Sequence, residues 1–279
     1  MKKTLSVILA VIMALSVFTT AAFAVDTPIA GVEEKYSSTD FVEFTAVGEG
    51  MDNAEPAEND ERYLPVSWAT DDGICGEFKD GIYTAKFINV ASGDRTLAVT
   101  FEKQTYTEGQ WLTVYSDDEA AVVDVKEVSY FVAASSSTVE GVHEEYPANR
   151  TVTFTAKGEG MDNAEPAEGD VRYCPVYWET NEDRICGEFT EGEYTARYTN
   201  RVFGDRSLAV TFEKQVYKDG EWVAVCDAEG NPGVDVKEVN YYVAPTAEEE
   251  KEIIFPSQIV RYIYVLLNYL IEKIVSLIK

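Results

Sequence analysis

The eleven residues Gly48-Glu-Gly-Met-Asp-Asn-Ala-Glu-Pro-Ala-Glu58 recur without change at Gly158 to Glu168, and this repeat limits the fold more than any other feature of the sequence. Extending the match outward aligns Gly31-Val32 with Gly141-Val142 and Tyr130 with Tyr241, with one residue inserted near Thr180. The chain is therefore a tandem duplication. Each copy, at roughly a hundred residues, is long enough to bury its own core.

Within each copy the apolar residues alternate with a period of two. In Arg95 to Gln104, Leu97, Val99 and Phe101 fall on one face and Thr100 and Glu102 on the other, as in a half-buried strand. The same alternation runs through Phe41 to Ala46, Arg62 to Trp68, Tyr83 to Phe87, Trp111 to Tyr115 and Val123 to Val132. Turn pairs such as Asp80-Gly81, Glu108-Gly109 and Asp219-Gly220 separate these runs. Neither copy carries an apolar stripe at helical spacing that is long enough for three turns. The pattern predicts an all-β chain of two antiparallel β-sandwiches.

The first 24 residues read as a secretory leader: Lys2-Lys3, an apolar stretch from Leu5 to Val17, and the small-x-small site Ala22-Phe23-Ala24. Cleavage there starts the mature chain near Val25, and the short leader points to a bacterial exported or cell-surface protein. The expected organisation is a signal peptide over 1–24, repeats over 25–134 and 138–245, an acidic linker over 246–256 and an amphipathic helix over 257–279. The formal net charge of −27 repels phosphate and argues against a nucleic-acid partner.

An early-strand Trp, a Leu-x-Val-x-Phe strand, a Gly turn and a final Val-x-Tyr-x-Val strand together resemble the immunoglobulin-like repeats of bacterial secreted and surface proteins. The resemblance covers roughly Ala30 to Pro245. It implies two tandem immunoglobulin-like modules acting as spacers or binding units. The expected partner is a surface protein or a glycan. The sequence departs from the antibody pattern in having one matched cysteine per copy, Cys75 and Cys186.

Gly, Asn and Pro break the strand pattern in the duplicated segment, so it reads as a loop. Its Asp52, Asn53, Glu55, Glu58 and Asp60, repeated as Asp162, Asn163, Glu165, Glu168 and Asp170, offer enough oxygens to surround a calcium ion, although the spacing is not that of an EF-hand. The competing reading is a rigid acidic loop bonded to its own backbone. No cofactor other than calcium is expected.

Catalysis has little support. The one histidine, His143, corresponds to Glu33 in the other copy, and carboxylate pairs are expected by chance among 50 acidic residues. The chain is expected not to be an enzyme. Trp68, Trp111, Trp178 and Trp222 are expected to fill the two cores, and a sugar-stacking platform is the alternative. Cys174 and Cys226 replace Leu64 and Tyr115 of the first copy. Paired replacement predicts neighbours joined by a disulfide. An antiparallel pairing with Cys174 opposite Cys226 would also set Trp178 opposite Trp222, and Trp68 opposite Trp111. Cys75 and Cys186 are then expected as buried free thiols.

After an acidic run, Glu248 to Glu252, Ser257 can cap a helix that would extend about 33 Å to Lys279. Its polar residues, Lys273 excepted, occupy a stripe of about 80° and the rest is apolar. Tyr262, Tyr264, Leu266, Leu267, Tyr269, Leu270, Ile274 and Leu277 are the candidate contacts, with the three tyrosines flanking the polar stripe. Three roles stay open: an in-plane membrane helix, a self-associating helix that makes homo-oligomers, and a helix docked on its own sandwich. The uncharged run from Tyr262 to Ile271 is too short to span a bilayer.

Overall fold

The computed structural model describes residues 27–37, 41–79, 81–250, 263 and 265–267. The expected leader, most of the linker and most of the C-terminal helix lie outside the described residues. The chain divides into two compact units, each with its own sandwich.

Module 1 runs through β1 (Ile29–Ala30), β2 (Lys35–Tyr36), β3 (Val42–Ala46), β4 (Glu61–Thr70), β5 (Cys75–Glu77), β6 (Thr84–Phe87), β7 (Gly93–Thr107), β8 (Gln110–Thr113) and β9 (Val123–Val132). One sheet has the order β1-β3-β6. The other has the order β2-β9-β7-β4-β5, with β8 added on the free half of β7. β1 with β3, β3 with β6, β4 with β5 and β7, and β7 with β8 pair antiparallel, and β2 with β9 parallel. Module 2 repeats the plan with β10 (Thr138–Glu140), β11 (Glu145–Tyr146), β12 (Thr151–Lys157), β13 (Val171–Thr180), β14 (Cys186–Glu188), β15 (Thr195–Thr199), β16 (Gly204–Lys218), β17 (Glu221–Ala224) and β18 (Val234–Val243). Two facing sheets in this order form an immunoglobulin-like sandwich.

The core follows the alternation in the sequence. Val42, Phe44, Trp68, Phe87, Leu97, Val99 and Phe101 are buried in module 1, and Val152, Phe154, Trp178, Tyr198, Leu208, Val210 and Phe212 in module 2. Trp68 stacks on Phe87 at 5.2 Å, and Phe44 meets the indole edge-on at 5.6 Å. The equivalent distances in module 2, to Tyr198 and Phe154, are 5.4 and 5.5 Å.

A bulge sets where this alternation changes hand. Pro65 faces Phe101 and Ser67 faces Thr100, so Val66 is an extra residue on β4; Val176 plays that part on β13. Proline has no N–H for the ladder, and a bulge accommodates it. Trp178 faces Val210 while Cys174 faces Glu213. Residues of opposite parity on β16 lie on opposite faces, so Cys174 and Trp178 do not share one.

The expected disulfide fails for a second reason. β16 lies between β13 and β17, with Gln215 opposite Ala224. Strands two places apart are separated by about 9.6 Å, beyond the roughly 7 Å that a disulfide spans between Cα atoms. Cys174 is buried and free, and Cys226 is exposed and free. Cys75 and Cys186 are free as expected but exposed rather than buried. The residues facing Trp68 and Trp178 from the edge strands are Gly76 and Gly187, where a Cβ would come within 2.8 and 2.9 Å of the indoles. The adjacent cysteines therefore point away from the core.

The acidic linker begins in order. Thr246 and Glu249 form a capping box: Thr246 N–H and Oγ1 donate to Glu249 Oε2 at 2.8 and 2.9 Å, and Glu249 N–H returns to Thr246 Oγ1 at 3.3 Å. Helix follows over 247–250, ahead of the start expected at Ser257. Arg150, itself buried, pairs with Glu249 and donates to the Arg201 carbonyl at 2.7 Å. Further on, Ile263, Val265, Leu266 and Leu267 are helical and more than half exposed. Tyr262, Tyr264, Tyr269, Leu270, Ile274 and Leu277 fall outside the described residues. Among the described residues no helix is long and apolar enough to cross a membrane.

Candidate functional site

The identical loops are built against the hairpin that carries Trp111 or Trp222. Gly48 and Gly158 run so close to β4 and β13 that a Cβ would sit 1.6 Å from the carbonyl oxygen of Tyr63 or Tyr173. No side chain fits there. Gly50 and Gly160 have φ of 74° and a similar approach, 2.5 Å, to the Glu61 and Val171 carbonyls. The Tyr63 N–H then bonds the Glu49 carbonyl at 2.9 Å, fixing the loop on the strand.

Of the side chains expected around calcium, Asn53 and Asp60 bond within the loop. Asp60 Oδ2 accepts from Asn53 Nδ2 at 2.8 Å and from the Ala57 N–H at 2.9 Å, and Asn53 Oδ1 accepts from the Glu55 N–H at 3.2 Å. Module 2 reproduces all three through Asp170, Asn163, Ala167 and Glu165. Glu58 caps the neighbouring hairpin, accepting from Glu108 N–H at 3.2 Å, and Glu168 does the same for Asp219 at 3.1 Å. Asp52 and Asp162 are exposed. Among the described residues no three acidic or thiol groups gather around a common point that a metal could occupy. The geometry is that of a brace bonded to itself and to the neighbouring hairpin.

This brace accounts for the sequence identity of the two copies. Asn59 N–H bonds the Tyr106 carbonyl at 2.9 Å and Tyr106 N–H bonds the Asp60 carbonyl at 2.8 Å. Asn59 has φ of 73°, and its counterpart is Gly169 at 91°; Asn and Gly are the residues that tolerate this left-handed region best. The hairpin turns Glu108-Gly109 and Asp219-Gly220 have both residues at positive φ, the two-residue turn that suits twisted strands.

The brace presents an aromatic cluster on the outer face of the larger sheet. Tyr106 faces Trp111 across β7 and β8 with ring centres 5.3 Å apart, and the Arg62 guanidinium lies 4.5 Å from the indole centre. Arg62 Nε donates to Gln104 Oε1 at 2.8 Å, Gln104 Nε2 to Glu102 Oε1 at 3.2 Å, and Thr113 Oγ1 to the same carboxylate oxygen at 2.6 Å. Module 2 repeats the cluster: Tyr217 and Trp222 at 5.3 Å, Arg172 at 4.4 Å, and Arg172 to Gln215 to Glu213 at 2.8 Å each. Trp111 and Trp222 are half-buried here instead of filling the cores. Period-two counting through β8 does not reveal which sheet face β8 joins. The visible signal was the cross-strand partner, Tyr106, with the same parity as Glu102. Arg62, Arg172, Gln104 and Gln215 were not singled out from the sequence.

Other features are not shared by the modules. A concave region of about 530 Å³ in module 1 is lined by Glu34, Asp71, Asp94, Arg95, Thr96, Ser129, Tyr130 and Phe131. Arg95 pairs with Asp71 at 3.5 Å, and its counterpart in module 2, Arg206, pairs with Glu182 Oε1 at 2.8 Å. His143 is exposed, its N–H bonded to Tyr146 Oη at 3.1 Å.

No family model matches the chain. No curated protein matches it either. Among solved structures it is similar to the fibronectin(III)-like modules of Clostridium thermocellum CbhA, at 15% identity over 79% of this chain and 93% of that one, with a TM-score of 0.22. It is also similar to the FN1-FN3 domains of chicken CNTN1, at 8% identity over 76% of this chain and 64% of that one, TM-score 0.20. A third likeness is to the Bacillus anthracis TIE protein, at 10% identity over 81% of this chain and 40% of that one, TM-score 0.16. The strand order and the two separate cores define the class: tandem immunoglobulin-like β-sandwich modules.

Proposed function

We propose that this is an exported, non-enzymatic protein whose two modules display binding surfaces, or space them, from an attachment made by the C-terminal helix. The observation that carries the binding role is the braced Trp-Tyr-Arg cluster. It is built twice with the same partners, on an outer sheet face where it contributes nothing to either core. Attachment is supported by the exposure of Leu266 and Leu267 on a helical segment; the partner of that face is a membrane surface or a second copy of the helix. Removing Ile253 to Lys279 should leave both sandwiches folded and abolish liposome flotation or reduce the sedimenting mass. A full-length chain that neither floats nor associates would refute the attachment.

A second reading, glycan binding, is favoured by the outward placement of Trp111 and Trp222. An indole beside a guanidinium, an amide and a carboxylate matches the mixed apolar and polar faces of a sugar ring. A sugar-array screen of residues 25–245, repeated with Trp111→Ala and Trp222→Ala together, tests it. Binding lost with both indoles supports this reading, and retained binding or none removes it.

A further inference from the structure

In the module 2 cluster the indole and the guanidinium have different tasks. The Arg172 guanidinium lies over the Trp222 ring, 4.4 Å from its centre, and Tyr217 meets the same ring at 62° with centres 5.3 Å apart. One face of the indole is therefore taken by a cation of the protein itself, and a sugar ring cannot also stack there. The ring supports the guanidinium instead, as a flat cation on a π face.

Arg172 is also held in its own plane. Its Nε donates to Gln215 Oε1 at 2.8 Å, and Gln215 Nε2 donates to Glu213 Oε1 at 2.8 Å. This relay fixes the rotation of the guanidinium about its stem. With Nε committed to Gln215, the edge left for a ligand is the Nη1–Nη2 pair, which bonds no other described residue. Two donors on one rigid edge match the two oxygens of a carboxylate, and fixing them beforehand removes part of the ordering cost of binding. Arg172, Tyr217 and Trp222 are all half-buried, so the stack is packed and still reachable. Module 2 has less beside it than module 1 does. Thr113, which faces Gln104 and donates to Glu102, is replaced by Ala224, which faces Gln215.

Charge narrows the ligand further. Glu213 is part of the same relay, and the chain as a whole carries a formal −27. A polymer of dense negative charge is repelled along its length by such a surface, whereas a single carboxylate on an otherwise neutral ring gains the guanidinium and avoids most of the field. We propose that the outer face of module 2 binds an acidic sugar, a uronate whose carboxylate is taken by Arg172 Nη1 and Nη2 and whose ring lies against the edges of Trp222 and Tyr217. The proposal rests on the glycan reading above and gives it carboxylate recognition, rather than indole stacking, as its basis.

The test titrates the full chain with tri-galacturonic acid and with its methyl ester, following the Trp222 indole N–H by NMR, with Trp222→Phe to assign that signal. The acid should shift it, and the ester should bind about tenfold more weakly, as expected for the loss of one charge-assisted pair. Arg172→Lys keeps the cation and the long stem but loses the fork; it should weaken the acid by about fivefold and leave the ester as it was. The ester comparison uses the parent chain, so it decides the matter even if Arg172→Lys fails to fold. Equal binding of acid and ester, or tighter binding of a polysulfated sugar of the same length, overturns the carboxylate assignment and leaves the glycan reading standing. If no sugar moves the Trp222 signal, both fall, and a shift with an acidic peptide in their place identifies a protein ligand.

Discussion

Module 1 and module 2 share strand order, bulge, brace and aromatic cluster, yet they differ where each module meets the rest of the chain. In module 2 the incoming Ser135 and the outgoing Glu249 are both tied down, by Asp235 and by Arg150. In module 1 the equivalent Asp124 pairs with Lys126, 3.1 Å away on the same strand. Duplication has conserved what a sandwich needs to fold and to display its outer face, and has let the ends adapt to different neighbours. The shared features should therefore give matched effects when altered, and the end features should not.

The largest matched effect is in the cores. Trp68→Ala and Trp178→Ala each remove the central indole, at a cost of about 3–5 kcal/mol. Each should unfold its own module and leave the other's amide spectrum in place. Loss of both modules from one substitution would show that the units are not energetically separate. Next come the glycines of the brace. Gly48→Ala or Gly158→Ala forces a Cβ onto a strand carbonyl, and relieving that contact should cost roughly 1–3 kcal/mol. Chemical denaturation of the matched variants should give similar values, with the Trp111 or Trp222 fluorescence altered in the affected module only. Equal stability to the parent would mean that the loop can leave the strand freely, and the account of the duplicated segment would fail.

These two expectations also show how far the sequence could be read. The class, the strands and residues such as Val99 and Phe101 followed from period-two alternation alone, because a strand with one dry face has no other way to write itself. What did not follow was anything depending on which strands are neighbours. Cys174, Cys226 and the four tryptophans were placed by counting parity. A single extra residue at Val66 or Val176 reverses parity, and an intervening strand, β16, separates partners that appear complementary. The brace was legible as a loop whose Asp and Asn fold back. That Glu58 reaches Glu108 was not, since the two are fifty positions apart and only the hairpin brings them together.

The end features give smaller and unequal effects. The Arg150 guanidinium beside Glu249, with help from Thr246, holds that carboxyl down to about 2. A depressed carboxylate contributes stability that is present above its unfolded value, roughly 4.3 for a glutamate, and is lost as pH falls through the folded value. The anchoring of residues 246–250 on module 2 should therefore weaken between about pH 4 and pH 2, and hydrogen exchange of the Glu249 and Glu250 amides reports it. Thr246→Ala removes the cap and should cost about 1 kcal/mol of local stability at neutral pH. If the amides of this turn exchange equally in Glu249→Gln and the parent at every pH, the contact does not hold the turn.

The smallest effect concerns a core position where the modules differ in polarity. Phe87 of module 1 becomes Tyr198, whose hydroxyl lies 2.7 Å from Tyr241 Oη, while Tyr241 donates onward to Asn200 Oδ1 at 2.8 Å. Since Tyr241 gives its proton to Asn200, Tyr198 must be the donor in the first bond. In module 1 Tyr130 donates directly to Asn89 Oδ1 at 2.5 Å, with no second hydroxyl. Tyr198→Phe therefore returns module 2 to an arrangement that the other copy already folds with. Tyr241 keeps Asn200, so the cost should be only about 0.5–1.5 kcal/mol. Burial and the bond to Tyr241 push the Tyr198 phenol far above its ordinary value. A raised acid of this kind contributes stability that is complete below the unfolded value, about 10, and lost as pH rises beyond it, because the unfolded chain then ionises first. Module 2 should accordingly lose melting temperature faster than module 1 above pH 10, and Tyr198→Phe should narrow that gap while Phe87→Tyr in module 1 widens the slope there. An unchanged alkaline slope in Tyr198→Phe would mean that the hydroxyl is solvated in the native state, and the buried Tyr-Tyr-Asn chain would have to be abandoned.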